Sequence, residues 1–144
     1  MQTSPEVRAS PTFTLELTVE ASAIDELGHA SNIAYVRWVQ DVAKTHSEAV
    51  GWNHDRYKTL GAVFVVRRYE LDYVGSAMLG DRLRLDTYVE SWSAASSVRK
   101  TKILRASDDK VLFHASTVWA LVSTTTGRPT RIPAEIREAF SKSI

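Results

Sequence analysis

Hydrophobic and polar positions alternate strictly from residue 13 to residue 20, which is typical of a half-buried strand. Over residues 32–50 the large apolar residues instead recur at spacings of three and four, the period of an amphipathic helix. Ser31 or Asn32 is suited to cap the start of this helix, and Gly51 is suited to end it. The pattern therefore predicts one strand followed by a helix roughly 27 Å long.

The second half of the chain is rich in β-branched and aromatic residues, and it predicts four further strands. We place them at residues 62–73, 82–92, 97–106 and 111–123, after a short helical turn at 53–60. The connections between them are too short for parallel crossovers, so the strands are expected to pair antiparallel. Pro133 then opens a short C-terminal helix that ends at residue 141.

This order of elements predicts an α+β fold in which an antiparallel sheet of five to six strands wraps around one long helix. The domain is expected to cover residues 12–144, after a flexible tail formed by residues 1–11. Several predicted strands are apolar on both faces, most clearly at residues 112–122. One face can cover the helix, and we expect a partner subunit to cover the other.

The composition is that of a globular protein, and it excludes several classes of function. Of the 144 residues 44% are hydrophobic and none is cysteine. The lack of cysteine excludes a disulfide framework and a thiol nucleophile, and it fits a cytoplasmic location. The net charge of +1 is low for a nucleic-acid-binding protein, so we expect no nucleic-acid partner. No apolar segment is long enough to span a membrane, and the polar first 11 residues do not resemble a signal peptide.

The usual motifs of metal, nucleotide and serine chemistry are missing. The four histidines, His29, His46, His54 and His114, lack the spacing of metal ligands. The chain has no G-x-S-x-G nucleophile elbow, and residues 75–80 match neither a P-loop nor a dinucleotide fingerprint. We therefore expect neither a bound metal nor a cofactor.

Candidate chemistry lies just before the long helix, at Asp25. The first backbone N–H groups of a helix lack internal partners and can polarise a carbonyl oxygen or stabilise an oxyanion. A carboxylate beside them can attack a carbonyl carbon or activate water, and Gly28 allows the chain to approach a ligand closely. These are the parts of an acyl-transfer site. An aspartate before a helix is more often a cap or a dipole partner, and that alternative stays open.

The run D-x-x-G-H-x-x-N-x-x-Y-x-R-W at residues 25–38 resembles the active-site segment of hotdog-fold acyl-CoA thioesterases. The likeness is greatest to the 4-hydroxybenzoyl-CoA thioesterase branch and its YbgC-like relatives. Residues 73–81 resemble the family's Y-x-x-P-A-x-x-G-D segment, with Ser76 in place of the usual proline, and residues 118–133 resemble its last strand and exit. In this order the likeness covers residues 13–140, and it implies a hotdog fold.

The resemblance also implies roles for individual residues. The aspartate that matches Asp25 is the family's nucleophile or general base, and the backbone N–H at Asn32 polarises the thioester carbonyl. Gly28 shapes the loop, and Tyr35 is expected to contact the substrate. His29 is expected to hydrogen-bond Asp25 or the substrate, with an ordinary structural hydrogen bond as the alternative.

The implied reaction is hydrolysis of an acyl-CoA to a free carboxylic acid and coenzyme A. The resemblance implies a homodimer or homotetramer with active sites at the subunit interfaces. Coenzyme A is part of the substrate, so the reaction needs no separate cofactor. The sequence does not specify the acyl group.

Basic residues near the end of the chain are candidates for binding the phosphates of coenzyme A. They are Arg99, Lys100, Lys102, Arg105, Arg128 and Arg131. We assign Arg128 and Arg131 to substrate binding, because they follow the last strand in a turn where side chains can reach a ligand. The alternative is a solvated strand edge, where basic residues discourage aggregation.

Departures from the family pattern keep other interpretations open. Gln40 stands where relatives often have an acidic residue. A second branch carries its carboxylate on the helix, which would make Asp41 and Glu48 rivals of Asp25, although both are more often solvated helix charges. Two other functions remain: an enoyl- or 3-hydroxyacyl-thioester hydratase, whose catalytic motifs we do not find, and a non-catalytic acyl-CoA-binding module.

Overall fold

The computed structural model describes residues 8–142, and it contains one antiparallel sheet of five strands in the order β1-β3-β4-β5-β2. The elements in chain order are β1 (Phe13–Thr18), a 3-10 turn (Ala21–Ala23), α1 (Asn32–Ala49), α2 (His54–Leu60), β2 (Ala62–Tyr73), β3 (Arg82–Trp92), β4 (Ser96–Arg105), β5 (Lys110–Ser123) and α3 (Ala134–Phe140). Every pair of neighbouring strands is antiparallel. The predicted α+β architecture is confirmed, with the lower of the two expected strand numbers.

Helix α1 begins and ends where its local sequence predicts. The side chain of Ser31 caps the start by accepting a hydrogen bond from the N–H of Ala34 at 3.2 Å. Gly51 follows the end of the helix with a φ of +96°, a left-handed conformation that favours glycine. The side chains of Val39 and Val42 are fully buried, and burial of each stabilises the fold by roughly 1.5–3 kcal/mol.

The sheet covers this helix with one face of each strand. In β3 the alternation of buried and half-buried positions places Leu83, Leu85 and Thr87 on the face towards the core. The register of β1 against β3 pairs Leu15 with Leu85 and Leu17 with Leu83, so the same face continues across both strands. A core cluster joins these leucines to the buried face of α1.

Three apolar positions of β5 that suggested a partner subunit are instead covered by the chain itself. Strand β5 bulges opposite the end of β4, and Leu112 and Phe113 both belong to the core cluster. The N–H groups of Val74 and Gly75 donate to the carbonyl of Leu112, each at 2.9 Å. The strand residue Val122 forms a bridge with Pro129. These positions therefore give no reason to expect a partner subunit.

The end of the predicted flexible tail is already part of the domain. Residues 1–7 of that tail lie outside the described residues. The N–H groups of Ala9 and Ser10 donate to the carbonyls of Glu90 and Val89 at 3.2 and 3.1 Å. The hydroxyl of Ser10 accepts from the N–H of Val89 at 2.7 Å. The ordered domain thus begins before residue 12, because this segment supplies hydrogen-bond partners to β3.

A polar network crosses the core between α1 and the sheet. The guanidinium Nη1 of Arg99 donates to Nδ1 of His46 at 2.9 Å and to the hydroxyl of Thr87 at 3.1 Å. Because a guanidinium can only donate, His46 is neutral and carries its proton on Nε2. Burial, and to a lesser degree the charge of Arg99, lowers the pKa of His46 from 6.5 to about 3.

The lowered pKa of His46 predicts that the protein loses stability in mild acid. Below pH 6.5 His46 binds a proton in the unfolded chain, whereas in the folded protein it stays neutral down to about pH 3. The free energy of unfolding therefore decreases as the pH is lowered through this window. The expected loss between pH 7 and pH 5 from this residue is about 2 kcal/mol. Urea denaturation at both pH values measures it. His46→Gln should remove this part of the pH dependence, and an equal dependence in both proteins would contradict the prediction.

Candidate active site

Asp25 lies in a tight hairpin that precedes α1. Ile24 and Ala30 form an antiparallel bridge, and the N–H of Asp25 donates to the carbonyl of His29 at 2.9 Å. The turn is closed by the N–H of Gly28, which donates to the carbonyl of Asp25 at 3.1 Å. Gly28 has a φ of +84°, and no atom lies within 4 Å of the place a Cβ would occupy. Gly28 is therefore needed for the left-handed turn. No group of this chain packs closely against it, so the expected close approach to a ligand stays a prediction.

The carboxylate of Asp25 caps its own turn and not the helix. Its Oδ1 accepts a hydrogen bond from the N–H of Leu27 at 2.9 Å, and the residue is exposed. Its Oδ2 has no hydrogen-bond partner within residues 8–142. One oxygen therefore fixes the orientation of the carboxylate, and the other is free to act on a ligand.

The start of α1 supplies backbone donors beside this hairpin. The N–H of Ser31 donates to the carbonyl of Ala23 at 2.8 Å, which ties the 3-10 turn before the hairpin to the N-cap residue of the helix. The N–H groups of Asn32 and Ile33 have no acceptor in the part of the chain that the structure describes. Such N–H groups at a helix start attract anions and carbonyl oxygens.

The two motifs of the sequence, residues 25–38 and 73–81, pack against each other. The N–H of Ala30 donates to the carbonyl of Ala77 at 2.8 Å, and His29 forms a bridge with Met78. The hydroxyl of Tyr73 donates to the carbonyl of Asn32 at 2.8 Å. The second motif therefore supports the Asp25 hairpin and the start of α1 from one side.

Tyr35 connects α1 to the second motif. Its hydroxyl accepts from the N–H of Ala77 at 2.9 Å and donates to the carbonyl of Gly75 at 3.4 Å. Its ring stacks on Phe113 with a centroid distance of 5.1 Å, and the residue is only 2% exposed. Burial is the main cause that raises the pKa of Tyr35, and the charge of Asp25 adds to it. The expected substrate contact does not fit this burial, so we assign Tyr35 to positioning the 75–77 segment.

Tyr35→Phe is expected to lower the free energy of unfolding by about 1–3 kcal/mol, because it leaves the buried N–H of Ala77 without an acceptor. Urea denaturation of both proteins measures this difference. Tyr73→Phe is the matched control, because Tyr73 is 45% exposed and Asn32, whose carbonyl accepts its hydrogen bond, is an exposed residue. An equal loss in the two variants would refute a special role of the Tyr35 hydroxyl.

Exposed apolar side chains surround the site. The set, which we call the apolar rim, consists of Leu27, Ile33, Val74, Met78 and Leu79. Their exposures range from 42% for Met78 to 77% for Leu27. A cluster of large apolar side chains in water marks a binding or assembly surface. Sequence reasoning missed the rim, because its members come from three segments that only the fold brings together.

His29 is half-buried, and its contact with Asp25 is made by the backbone alone. Within residues 8–142 its ring forms no hydrogen bond with the Asp25 carboxylate. The expected hydrogen bond between them is not formed in this chain.

Arg128 and Arg131 lie at the opposite end of the sheet from Asp25. Near the start of β5, Phe113 pairs with Tyr73, which contacts the start of α1. At the end of β5, the N–H of Ser123 donates to the carbonyl of Arg128 at 2.9 Å. Ten residues of strand span roughly 33 Å. Both arginines are exposed, as expected, but the structure does not bring them together with Asp25 in one chain.

The rival carboxylates on the helix do not join the site. Asp41 and Glu48 are exposed, and Glu48 lies roughly 24 Å along the helix axis from its first residue. At the position where relatives often have an acid, the amide of Gln40 donates to the hydroxyl of Tyr69 at 2.7 Å. Of the three candidate carboxylates, Asp25 therefore lies closest along the chain to the free N–H groups at the start of α1.

Asp81 is a further residue that sequence reasoning did not single out. Its Oδ2 accepts from the N–H of Met78 at 2.9 Å, which closes the turn next to His29. The family-like G-D pair at residues 80–81 was the signal that could have identified it.

Among residues 8–142 no group of three histidine, aspartate or glutamate side chains could hold a metal ion. Within the same residues no helix is long and apolar enough to cross a membrane.

Comparisons with known proteins identify a family and a set of similar folds. Residues 19–140 match the thioesterase-like superfamily. No curated protein matches the chain. Among solved structures, Slr0204, a 1,4-dihydroxy-2-naphthoyl-CoA thioesterase from Synechocystis, is 18% identical with a TM-score of 0.84 and covers 90% of this chain and 96% of its own.

Two structures from Staphylococcus aureus are also similar. The hypothetical protein SAV2348, solved in complex with CoA, is 16% identical with a TM-score of 0.85, over 98% of this chain and 92% of its own. A DHNA-CoA thioesterase is 19% identical with a TM-score of 0.82, over 90% of this chain and 88% of its own. At these identities the likeness establishes the shared fold.

Proposed function

Because the chain belongs to the thioesterase-like superfamily, we propose that it hydrolyses an acyl-CoA thioester to a carboxylic acid and coenzyme A. The predicted family of hotdog thioester hydrolases is confirmed, while the YbgC-like branch stays a prediction. The observation that carries the proposed reaction is that Asp25, in the hairpin just before α1, keeps one carboxylate oxygen unbonded, while the first N–H groups of α1 also lack an acceptor among residues 8–142.

In the proposed reaction the thioester carbonyl oxygen accepts hydrogen bonds from the N–H groups of Asn32 and Ile33. These donors stabilise the negative charge that develops on that oxygen when the carbonyl carbon is attacked. Asp25 then acts in one of two ways. It accepts a proton from the attacking water, or it attacks the carbon itself and forms an anhydride that water later cleaves. In both routes the C–S bond breaks, and the thiolate of coenzyme A leaves and takes up a proton.

The hairpin explains why Asp25 can serve in either role. The N–H of Leu27 holds Oδ1, so Oδ2 keeps one direction without help from a second side chain. The exposure of the residue leaves room for a ligand or for water.

The predicted homodimer or homotetramer is supported by two features of the chain. Strand β2 is twelve residues long and forms an edge of the sheet, and long edge strands tend to pair with another chain. The apolar rim lies at one end of the same strand.

If two copies pair antiparallel along β2, the Ala62 end of one meets the Tyr73 end of the other. Arg128 of one copy then approaches Asp25 of its partner, which would let it bind the CoA phosphates as predicted.

Release of free thiol from a panel of acyl-CoA esters tests the proposed function. The panel spans short, long and aromatic acyl groups, and the substrate named for the Synechocystis protein makes an aromatic ester the first choice. Thiol release that is proportional to enzyme supports hydrolysis. Loss of the enoyl absorbance of crotonyl-CoA without thiol release would indicate the hydratase instead. Tight acyl-CoA binding without turnover would indicate a binding module.

The cytoplasmic location stays a prediction that is based on the lack of cysteine.

A further inference from the structure

Tyr73, the last residue of β2, reaches from the sheet to the start of α1. Its hydroxyl donates to the carbonyl oxygen of Asn32 at 2.8 Å. Its ring meets the rings of Phe113 and Tyr35 edge-on, at centroid distances of 4.8 and 5.5 Å. Edge-to-face pairs of this kind are favourable arrangements of aromatic rings. They hold the Tyr73 ring, and with it the hydroxyl, in place although the residue is 45% exposed.

The carbonyl that accepts this hydrogen bond belongs to the same peptide group as the N–H of Ile33. A peptide group is planar, so a contact that fixes the carbonyl also fixes the direction of the N–H. Because α1 begins at Asn32, the same carbonyl accepts the first hydrogen bond of the helix, from the N–H of residue 36. A carbonyl oxygen has two lone pairs, and the Tyr73 hydroxyl occupies the second. The direction of the Ile33 N–H is therefore set from two sides.

The hydroxyl of Tyr73 also makes this N–H a stronger donor. Hydrogen bonds that are linked in a chain polarise one another, so a proton donated to the carbonyl oxygen draws electron density from the amide nitrogen. The chain runs from the Tyr73 hydroxyl, through the peptide group of residues 32 and 33, to the oxygen that the Ile33 N–H binds. In the proposed reaction this is the thioester carbonyl oxygen, on which negative charge develops.

We propose that Tyr73 is a positioning residue for thioester hydrolysis, which orients and polarises the Ile33 N–H through the carbonyl of Asn32. This inference rests on the proposed function and deepens it, because it adds a group from the sheet to a site formed by the segment before α1 and the first turn of the helix. In this role Tyr73 acts through one peptide group and not by touching the reacting atoms. Its effect is largest in the transition state, because the charge on the bound oxygen develops there.

Thiol release by Tyr73→Phe tests this role with the best acyl-CoA ester. Loss of a whole oxyanion donor costs about 10²- to 10³-fold in kcat. The variant keeps the N–H and loses only its alignment and polarisation, so kcat should fall roughly 3- to 10-fold while KM stays unchanged. Tyr88→Phe is the matched control and should keep full activity, because Tyr88 lies on the outer face of β3 under the guanidinium of Arg8. An active protein with the same kcat in Tyr73→Phe would overturn the role of Tyr73, whereas an unmodified protein that cleaves no ester would overturn the proposed function itself.

The backbone ¹⁵N resonance of Ile33 gives a second measurement, which does not depend on turnover. A hydrogen bond to the carbonyl of Asn32 deshields the nitrogen of the same peptide group, so Tyr73→Phe should move the Ile33 resonance upfield. Tyr88→Phe should leave it in place. Urea denaturation separates positioning from packing, because Tyr73→Phe keeps the ring and should keep the free energy of unfolding. An unmoved Ile33 resonance in Tyr73→Phe, or a loss of kcat that is matched by a loss of stability, would overturn the proposal.

Discussion

Replacing Asp25 by asparagine is expected to lower kcat for thioester hydrolysis by about 10³-fold while the fold is retained. The amide keeps the shape of the side chain, and its oxygen can still accept from the N–H of Leu27. What it loses is the negative charge on the second oxygen, the group that attacks the carbonyl carbon or accepts a proton from water. The change therefore removes the chemistry and leaves the hairpin.

Thiol release from the best acyl-CoA ester measures this effect, and circular dichroism with thermal unfolding checks the fold. Asp41→Asn is the matched control, because Asp41 is an exposed aspartate on α1 that the proposed reaction does not use. Turnover close to that of the unmodified protein in the Asp25 variant would remove this residue from the mechanism. Equal losses in both variants would point to a general effect of charge.

A single turnover in ¹⁸O-labelled water separates the two roles of Asp25. If the aspartate is a general base, the first molecule of acid already carries the label from water. If it attacks the carbon, water can cleave the anhydride at the aspartyl carbon, and the first acid then carries an unlabelled oxygen from the protein. The fold of the hairpin is compatible with both routes, because Oδ2 is free and exposed in each case.

The sequence predicted best those features that depend on neighbouring residues. Ser31 and Gly51 mark the ends of α1 correctly, because caps act within one helical turn. Strands β1 and β3 were found because each alternates between two faces, whereas β2 and β5 were found from their β-branched and aromatic residues. In β4 the adjacent Arg99 and Lys100 are both basic, so alternation alone could not show which of them faces the core. Arg99 was consequently grouped with the exposed basic residues, whereas the fold buries it.

In the candidate active site, too, the features that depend on neighbouring residues were predicted, and those that depend on distant residues were not. The hairpin that holds Asp25 and the helix that starts at Asn32 are adjacent in the chain, and their motif predicted their proximity. Arg128 was assigned to substrate binding from its place in a turn after the last strand, and the length of β5 separates it from Asp25 in this chain. The role of Tyr35 was also beyond the sequence, because its hydroxyl contacts the backbone of residues 75–77, which lie forty residues further along the chain.

The second large effect is expected from a charge placed in the apolar rim. Leu79 is 61% exposed, so Leu79→Glu should leave the folded chain as stable as before. If the rim is covered by a second copy, the same change buries an unpaired carboxylate in the interface. The penalty of about 3 kcal/mol or more would raise the dissociation constant of the assembly by more than roughly 100-fold.

Light scattering after size exclusion measures this dissociation, and thiol release measures its consequence. Because the proposed phosphate-binding arginines reach Asp25 only from a partner copy, the specific activity of Leu79→Glu should fall on dilution and recover at high protein concentration. Ala134→Glu is the control, since it adds the same acid at an exposed position of α3, outside the rim. A variant at Leu79 that remains assembled, or one that is monomeric and fully active at every concentration, would show that the rim does not hold the subunits together at the active site.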